Sequence, residues 1–243
     1  MFEFLMHLHW AAVFQIIVID ILLGGDNAVV IALACRHLPP PQRLQGVLWG
    51  TAGAVLMRLV FVGFAVVLLA IPYLKIVGGA LLLWIGTRLL LPEAEHADQI
   101  KPATRLLSAV KTIVLADLVM SIDNVIAIAG AASAADASQR MLLIGFGLLV
   151  SIPLVVWGSQ LVLKLLDRFP LVIVAGGALL GWIGGGLISS DPALPQWAWL
   201  HQPATHAIVA SCGALLVVAA GSLLKRRHAR QIRKQAVGRP PAA

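Results

Sequence analysis

Charged residues are scarce in this chain of 243 residues: only 12% are Asp, Glu, Lys or Arg, whereas soluble domains carry about 25%. Hydrophobic residues make up 60% of the sequence, and the mean hydropathy is +0.92. This composition excludes an ordinary soluble domain and indicates an integral membrane protein. The first nine residues contain no Lys or Arg, so we expect no cleavable signal peptide and predict that the first apolar run remains as a membrane span.

Cysteine is also scarce. Cys35 and Cys212 are the two cysteines, and neither belongs to a CxxC or zinc-type spacing. We therefore expect both to be small packing residues. The sequence predicts no prosthetic cofactor and no catalytic residues.

Basic residues outnumber acidic ones, 18 to 11, but their distribution does not favour nucleic-acid binding. Seven of them follow the last apolar run: Lys225, Arg226, Arg227, Arg230, Arg233, Lys234 and Arg239. A basic cluster directly after a span is typical of a topology signal and of an anchor to anionic lipid. We therefore predict the lipid bilayer as a partner and no nucleic acid.

Seven apolar runs are long enough to be membrane spans. They cover residues 10–34, 46–71, 74–91, 109–132, 141–163, 171–188 and 206–224. With the C-terminus inside, 15 basic residues lie on the inner side and two, Lys75 and Arg140, on the outer side. This positive-inside bias predicts a bacterial plasma (inner) membrane protein with its N-terminus outside and its C-terminus in the cytoplasm.

Two sequence landmarks are repeated in the same order. Asp-x5-Asp-Asn begins at Asp20 and again at Asp117, and Gly-Gly-Ala-Leu-Leu begins at Gly78 and again at Gly176. Each unit holds three spans, an odd number, so the second unit is predicted to be inverted relative to the first. The glycines are expected to let helices pack closely.

The predicted fold is therefore an all-α polytopic membrane protein with seven transmembrane helices. A single transmembrane domain covers residues 1–224. It contains repeat 1 at about 10–91, repeat 2 at about 109–188 and an extra helix at about 206–224. Residues 225–243 form a basic cytoplasmic tail.

The repeated motifs supply buried oxygen ligands. An aspartate at mid-membrane costs on the order of 3 kcal/mol, so two matching pairs indicate a function. The candidate metal ligands are Asp20, Asp26, Asn27, Asp117, Asp123 and Asn124. Seven residues turn an α-helix by about 700°, which brings each Asn under the first Asp of its motif. Gly24-Gly25 would permit an unwound turn in the first copy.

An oxygen-only ligand set suits hard divalent cations such as Mn²⁺, Ca²⁺ and Mg²⁺. The acids cannot all stay charged in low dielectric without protons or a cation, which is a basis for exchange of metal against protons. Arg58 is the one basic residue in the middle of a span. It could neutralise an aspartate, or it could snorkel or bond to backbone carbonyls, and the sequence leaves both open.

At these motifs the chain resembles the TerC family of integral membrane proteins, within the LysE-type transporter superfamily and closest to its manganese-associated bacterial branch. The likeness covers about residues 10–224 and rests on the paired Asp-x5-Asp-Asn motifs. The resemblance implies a seven-span metal transporter, with manganese efflux favoured and the six motif residues as its metal ligands.

Two other functions remain open. The protein could be a non-transporting membrane partner of a metal-resistance or secretion complex, in which case activity would survive neutralisation of the aspartates. It could also be an intramembrane aspartyl hydrolase, although Leu23-Gly24-Gly25-Asp26 lacks the first glycine of the Gly-x-Gly-Asp motif of such proteases. The ion, the coupling, the direction of transport and any homo-oligomer are not determined by the sequence.

Overall fold

The computed structural model describes residues 25–64, 71–91, 102–132, 137–194 and 202–237, in which the chain forms helices and turns. Seven helices lie in these ranges: α1 Gly25–Cys35, α2 Pro40–Gly63, α3 Leu74–Leu89, α4 Pro102–Ala132, α5 Ala137–Arg168, α6 Leu171–Ser189 and α7 Pro203–Val237. Within this part of the chain, four segments are long and apolar enough to cross a membrane: Pro40–Gly63, Gly145–Arg168, Leu171–Ser189 and Pro203–Arg227. The prediction of an all-helical membrane protein is confirmed.

Several helices begin before the apolar runs do. The first residues of α2, α4, α5 and α7 are Pro40, Pro102, Ala137 and Pro203, and α7 continues to Val237. Much of the tail predicted for 225–243 is therefore helical. Hydropathy misses these turns because Lys, Arg, Gln and Ala favour helix as strongly as apolar residues do. Proline is the first residue of three of these helices. It is tolerated there because the backbone N–H that proline lacks would have no intrahelical partner in the first turn.

Glycines set the distance between α3 and α6. A Cβ on Gly184 would lie 2.8 Å from the carbonyl oxygen of Gly79, and one on Gly86 would lie 3.4 Å from that of Gly177. Residues early in α3 contact residues late in α6, and residues late in α3 contact residues early in α6, so the two helices are antiparallel. The close packing expected from these glycines is confirmed.

The same motifs also face the helices that carry the aspartates. A Cβ on Gly78 would lie 2.8 Å from Val119 of α4, and one on Gly176 would lie 2.7 Å from Leu33 of α1. On its other side, α6 packs against α7, where Gly181 and Gly213 approach each other's backbone. The glycine helices thus form a support behind α1 and α4.

Helices α2 and α4 lie side by side and run parallel. Gly46 is close to Leu106 and Gly50 to Ile113, so residue numbers rise together along both helices. One apolar core at this contact includes Leu33, Val47, Ile113 and Leu163, contributed by α1, α2, α4 and α5. Cys35 is buried in it, whereas Cys212 is exposed on α7, so the packing role expected for both cysteines holds for Cys35 alone.

Large apolar side chains cover the outside of the helices. Trp49, Leu56, Trp157 and Leu215 are each more than 60% exposed. Water would penalise this much exposed apolar surface, whereas acyl chains do not. The exposed residues are those expected of helices that face a lipid bilayer.

Asp191, just beyond α6, closes the start of α3. Its carboxylate is 2% exposed and accepts backbone N–H bonds from Tyr73 at 3.0 Å, Ile76 at 3.1 Å and Ala193 at 2.7 Å. Burial alone would raise the pKa of Asp191, but these N–H groups and that of Lys75 hold it below its ordinary value of 3.8. The same contact holds Tyr73 in the left-handed region, at φ 66°.

Candidate functional site

The two Asp-Asn motifs meet between α1 and α4. Asn27 and Asp117, each 5% exposed, line one small cavity of about 10 Å³ together with Val30, Ile31 and Ile113. This volume is about that of one water-sized sphere. Residues 90 positions apart in the sequence therefore contribute polar side chains to a single buried point.

Arg58 of α2 makes the central charge contact of this region. Its Nη2 donates to Asp117 Oδ1, and its Nε donates to Ser121 Oγ at 3.1 Å. The Ser121 hydroxyl donates in turn to Asp117 Oδ2 at 3.2 Å. Both charged side chains are almost fully buried, with 5% of Arg58 and 6% of Asp117 exposed. Of the two roles left open by the sequence for Arg58, the structure shows neutralisation of an aspartate.

Asp26 joins the same group from the first motif. It is half-buried near the start of the described part of α1, and its Oδ1 accepts the backbone N–H of Asn27 at 2.8 Å. The charges of Arg58 and Asp117 both act on its carboxylate. Two acids and one cation therefore share one electrostatic environment.

The Asn27 side chain carries an unused acceptor. Its Oδ1 is buried and has no hydrogen-bond partner among the described residues. An acceptor left in this state is destabilising by about 1–3 kcal/mol, and buried groups of this kind call for an explanation. A cation in the adjacent cavity would give this oxygen a partner.

The atoms available as metal ligands are all oxygens: those of the Asp26 and Asp117 carboxylates, the Asn27 amide and the Ser121 hydroxyl. Such a set suits a hard divalent cation. In the described residues there is no group of three or more His, Cys, Asp or Glu side chains that could hold a metal. The amide and hydroxyl oxygens would thus have to complete any coordination made by these two acids.

The remaining predicted ligands are less fully described. Asp20 lies outside the described residues, as does Gly24, where an unwound turn was predicted. For Asp123 only the backbone is described, within α4, and Asn124 is half-buried in the same helix. Helix α4 is continuous through the whole second motif. The structure therefore brings together Asp26, Asn27 and Asp117 of the six.

Ser121 was missed as a site residue. It lies one helical turn after Asp117, at the position that Gly24 holds in the first motif. A hydroxyl four residues from a buried carboxylate is a local signal that could have identified it. Met120, the neighbouring residue, is 4% exposed and packs in an apolar cluster with Val30, Leu82 and Val119.

A protein-family model described as "Integral membrane protein TerC family" matches residues 5–230. The chain belongs to the TerC family. It is 46% identical to the membrane protein YjbE of Bacillus subtilis over 195 residues, which is 80% of this chain and 87% of that protein.

Two further relatives are more distant. Membrane protein YceF of Bacillus subtilis is 26% identical over 170 residues, and the chain spans 64% of its length. The inner membrane protein YgdQ of Escherichia coli is 24% identical over 206 residues, and the match covers 84% of that protein. No solved structure matched the chain.

Proposed function

We propose that this TerC protein transports a divalent metal cation, with Mn²⁺ favoured over Ca²⁺ and Mg²⁺, and that it exports the ion from the cytoplasm. The observation that carries the proposal is the meeting of Asn27 of one motif with Asp117 of the other at a buried cavity of about 10 Å³, with the Asp26 carboxylate in electrostatic range of Asp117. Carboxylate and amide oxygens at such a point are a chemical match for a hard cation.

Arg58 gives the site a way to exist without metal. A buried carboxylate needs a counter-charge, and Arg58 supplies one to Asp117. A divalent cation would compete with the guanidinium for the same carboxylate, and Arg58 would return when the ion leaves. Protons are the proposed counter-ion for transport, with the aspartates carrying them.

The proposed architecture is two inverted three-helix repeats followed by the seventh span. Support comes from the contacts between α3 and α6. The two Gly-Gly-Ala-Leu-Leu motifs are offset by 98 residues, so Gly79 corresponds to Gly177 and Gly86 corresponds to Gly184. The contact between Gly79 and Gly184 therefore has an equivalent in the contact between Gly177 and Gly86, which the structure also contains. Antiparallel, exchanged contacts of this kind are what a pseudo-two-fold axis in the membrane plane would produce. Alternating access would then be a rocking of one repeat against the other.

The choice of manganese rests on the resemblance to the manganese-associated branch of the LysE-type superfamily, and the oxygen donors are compatible with it. Efflux rests on the same resemblance. The proposed location is the bacterial inner membrane, with the C-terminus in the cytoplasm. The exposed bases Lys225, Arg226 and Arg227 in the second half of α7 support that orientation through the positive-inside rule.

The test is Mn²⁺ uptake into inside-out vesicles, followed with a metal-sensitive dye, with and without a pH gradient. Asp26→Asn and Asp117→Asn should each abolish uptake while the protein still inserts. Asp167→Asn is the matched control, because Asp167 is an exposed acid at the end of α5 and its loss should leave uptake unchanged. Mg²⁺ and Ca²⁺ in the same assay rank the ions.

Asn27→Leu separates transport from folding. Because the Oδ1 of Asn27 has no hydrogen-bond partner among the described residues, its replacement by an apolar side chain of similar size should leave thermal stability unchanged or higher. Mn²⁺ uptake should nevertheless fall. Wild-type uptake in Asp26→Asn and Asp117→Asn would contradict the transporter and favour the non-transporting partner instead.

A further inference from the structure

We propose that a basic cavity, which shares no lining residue with the proposed metal site, binds the phosphate group of an anionic phospholipid. The cavity has a volume of about 380 Å³. It lies where α1, α3 and α5 end, where α6 begins and beside the later turns of α7. Its lining includes Arg36, His37, Asp167, Ile173, Val174 and Lys225.

Arg36 provides the first binding group. Its Nη2 donates to the carbonyl oxygen of Leu91 at 2.9 Å, and its Nε donates to His37 Nε2 at 2.8 Å, which fixes the plane of the guanidinium. Its Nη1 is buried and has no hydrogen-bond partner in the part of the chain that the structure describes. A phosphate oxygen is the acceptor that a guanidinium N–H of this kind binds most strongly.

The cavity carries net positive charge. Burial, and then the charge of Arg36, lower the pKa of His37 to about 4, so His37 is neutral at pH 7 and acts as an acceptor for Arg36. The Asp167 carboxylate is paired with Arg43, whose Nη1 lies 2.7 Å from Asp167 Oδ2. Among the described residues, no acidic side chain is paired with Arg36 or with the exposed Lys225, so both positive charges of the lining are open to a ligand.

Apart from Ser222, the rest of the lining is apolar, which favours a lipid over a free ion. Leu90, Leu166, Ile173 and Val174 form part of the wall, and Val174 is 37% exposed at the outside of α6. An anionic phospholipid matches both the basic and the apolar part of the lining, with its phosphate on Arg36 and Lys225 and its acyl chain along the apolar wall. Basic pockets between membrane helices bind anionic head groups in this way.

The experiment measures the thermal stability of the purified full chain in nanodiscs with rising mole fraction of phosphatidylglycerol in phosphatidylcholine. Phosphatidylglycerol should raise the wild-type melting temperature in a saturable manner. Lys225→Gln should require about fivefold more phosphatidylglycerol for half the effect, since one basic residue is removed. Arg36→Gln should weaken the stabilisation by phosphatidylglycerol further than Lys225→Gln does, because Arg36 carries the buried N–H donor.

Arg227→Gln is the matched control: it removes the same charge from an exposed position two residues further along α7, outside the cavity lining. Its loss should change the response to phosphatidylglycerol less than Lys225→Gln does, because Arg227 acts on the lipid surface only and not in the cavity. Lys225→Gln keeps the test valid if Arg36→Gln does not fold, because Arg36 also holds the Leu91 carbonyl. Three results would each overturn the proposal: equal stabilisation by phosphatidylcholine alone, equal losses in Arg227→Gln and Lys225→Gln, or reproduction of the effect by inorganic phosphate.

Discussion

Separating the buried charges of Arg58 and Asp117 should be far more destabilising than removing them together. Both side chains are about 95% buried, so Asp117→Asn takes from the Arg58 guanidinium the carboxylate that it is paired with, and Arg58→Met takes from the Asp117 carboxylate that guanidinium. Each single change is expected to cost about 3–5 kcal/mol. The double variant Arg58→Met/Asp117→Leu removes both charges from low dielectric and should be neutral or more stable than the wild type by up to about 4 kcal/mol.

The pair formed by Arg43 and Asp167 is the internal control. It has comparable geometry, with an N–O distance of 2.7 Å, but its side chains are 26% and 53% exposed. Solvent screens an exposed pair, so Asp167→Asn should cost at most about 1 kcal/mol. The contrast between the two pairs therefore measures burial rather than the presence of an ion pair.

Tryptophan fluorescence in detergent or nanodiscs follows the unfolding, since the chain has seven tryptophans. At about 2–4 °C per kcal/mol for a chain of this size, the single changes should lower the melting temperature by roughly 6–20 °C. The reasoning is refuted if Asp117→Asn costs no more than Asp167→Asn, or if the double variant is as unstable as the singles. The double variant should be stable but should not transport Mn²⁺. Transport at the wild-type rate would remove Asp117 from the proposed site.

Two further predictions concern the helix contacts. Gly184→Ala places a methyl group 2.8 Å from the carbonyl oxygen of Gly79 and should cost about 1–3 kcal/mol by forcing α6 away from α3. In contrast, Gly145→Ala, whose nearest atom would be 3.9 Å away, should melt as the wild type does. Asp191 has a lowered pKa in the folded protein, so the stability that it provides is present above pH about 4 and is lost on acidification below that. Asp191→Asn should flatten this acid-side loss in melting temperature, and an unchanged acid profile would contradict the capping role.

The class of the protein and the residue types of the candidate site could be predicted from the amino-acid sequence. Apolar runs, scarce charge and close-packing glycines are properties of short segments, so they can be recognised without knowing which helices touch. The paired Asp-Asn motifs could be found for the same reason, and two of the acids, Asp26 and Asp117, do share one environment. Polar helical extensions, such as the turns of α7 beyond residue 224, could not be read from hydropathy.

The pairing of the buried charges, in contrast, depends on how the helices pack in three dimensions. Arg58 and Asp117 are 59 residues apart, and no local spacing connects them. Their contact follows from the parallel packing of α2 on α4, which is permitted by glycines at positions 46, 50 and 53. The repeat would treat the first aspartates of both motifs as equivalent, yet the position 97 residues after Arg58 is Val155. A buried charge takes its partner from whichever helix can approach closely, and that depends on side chains spread over several helices.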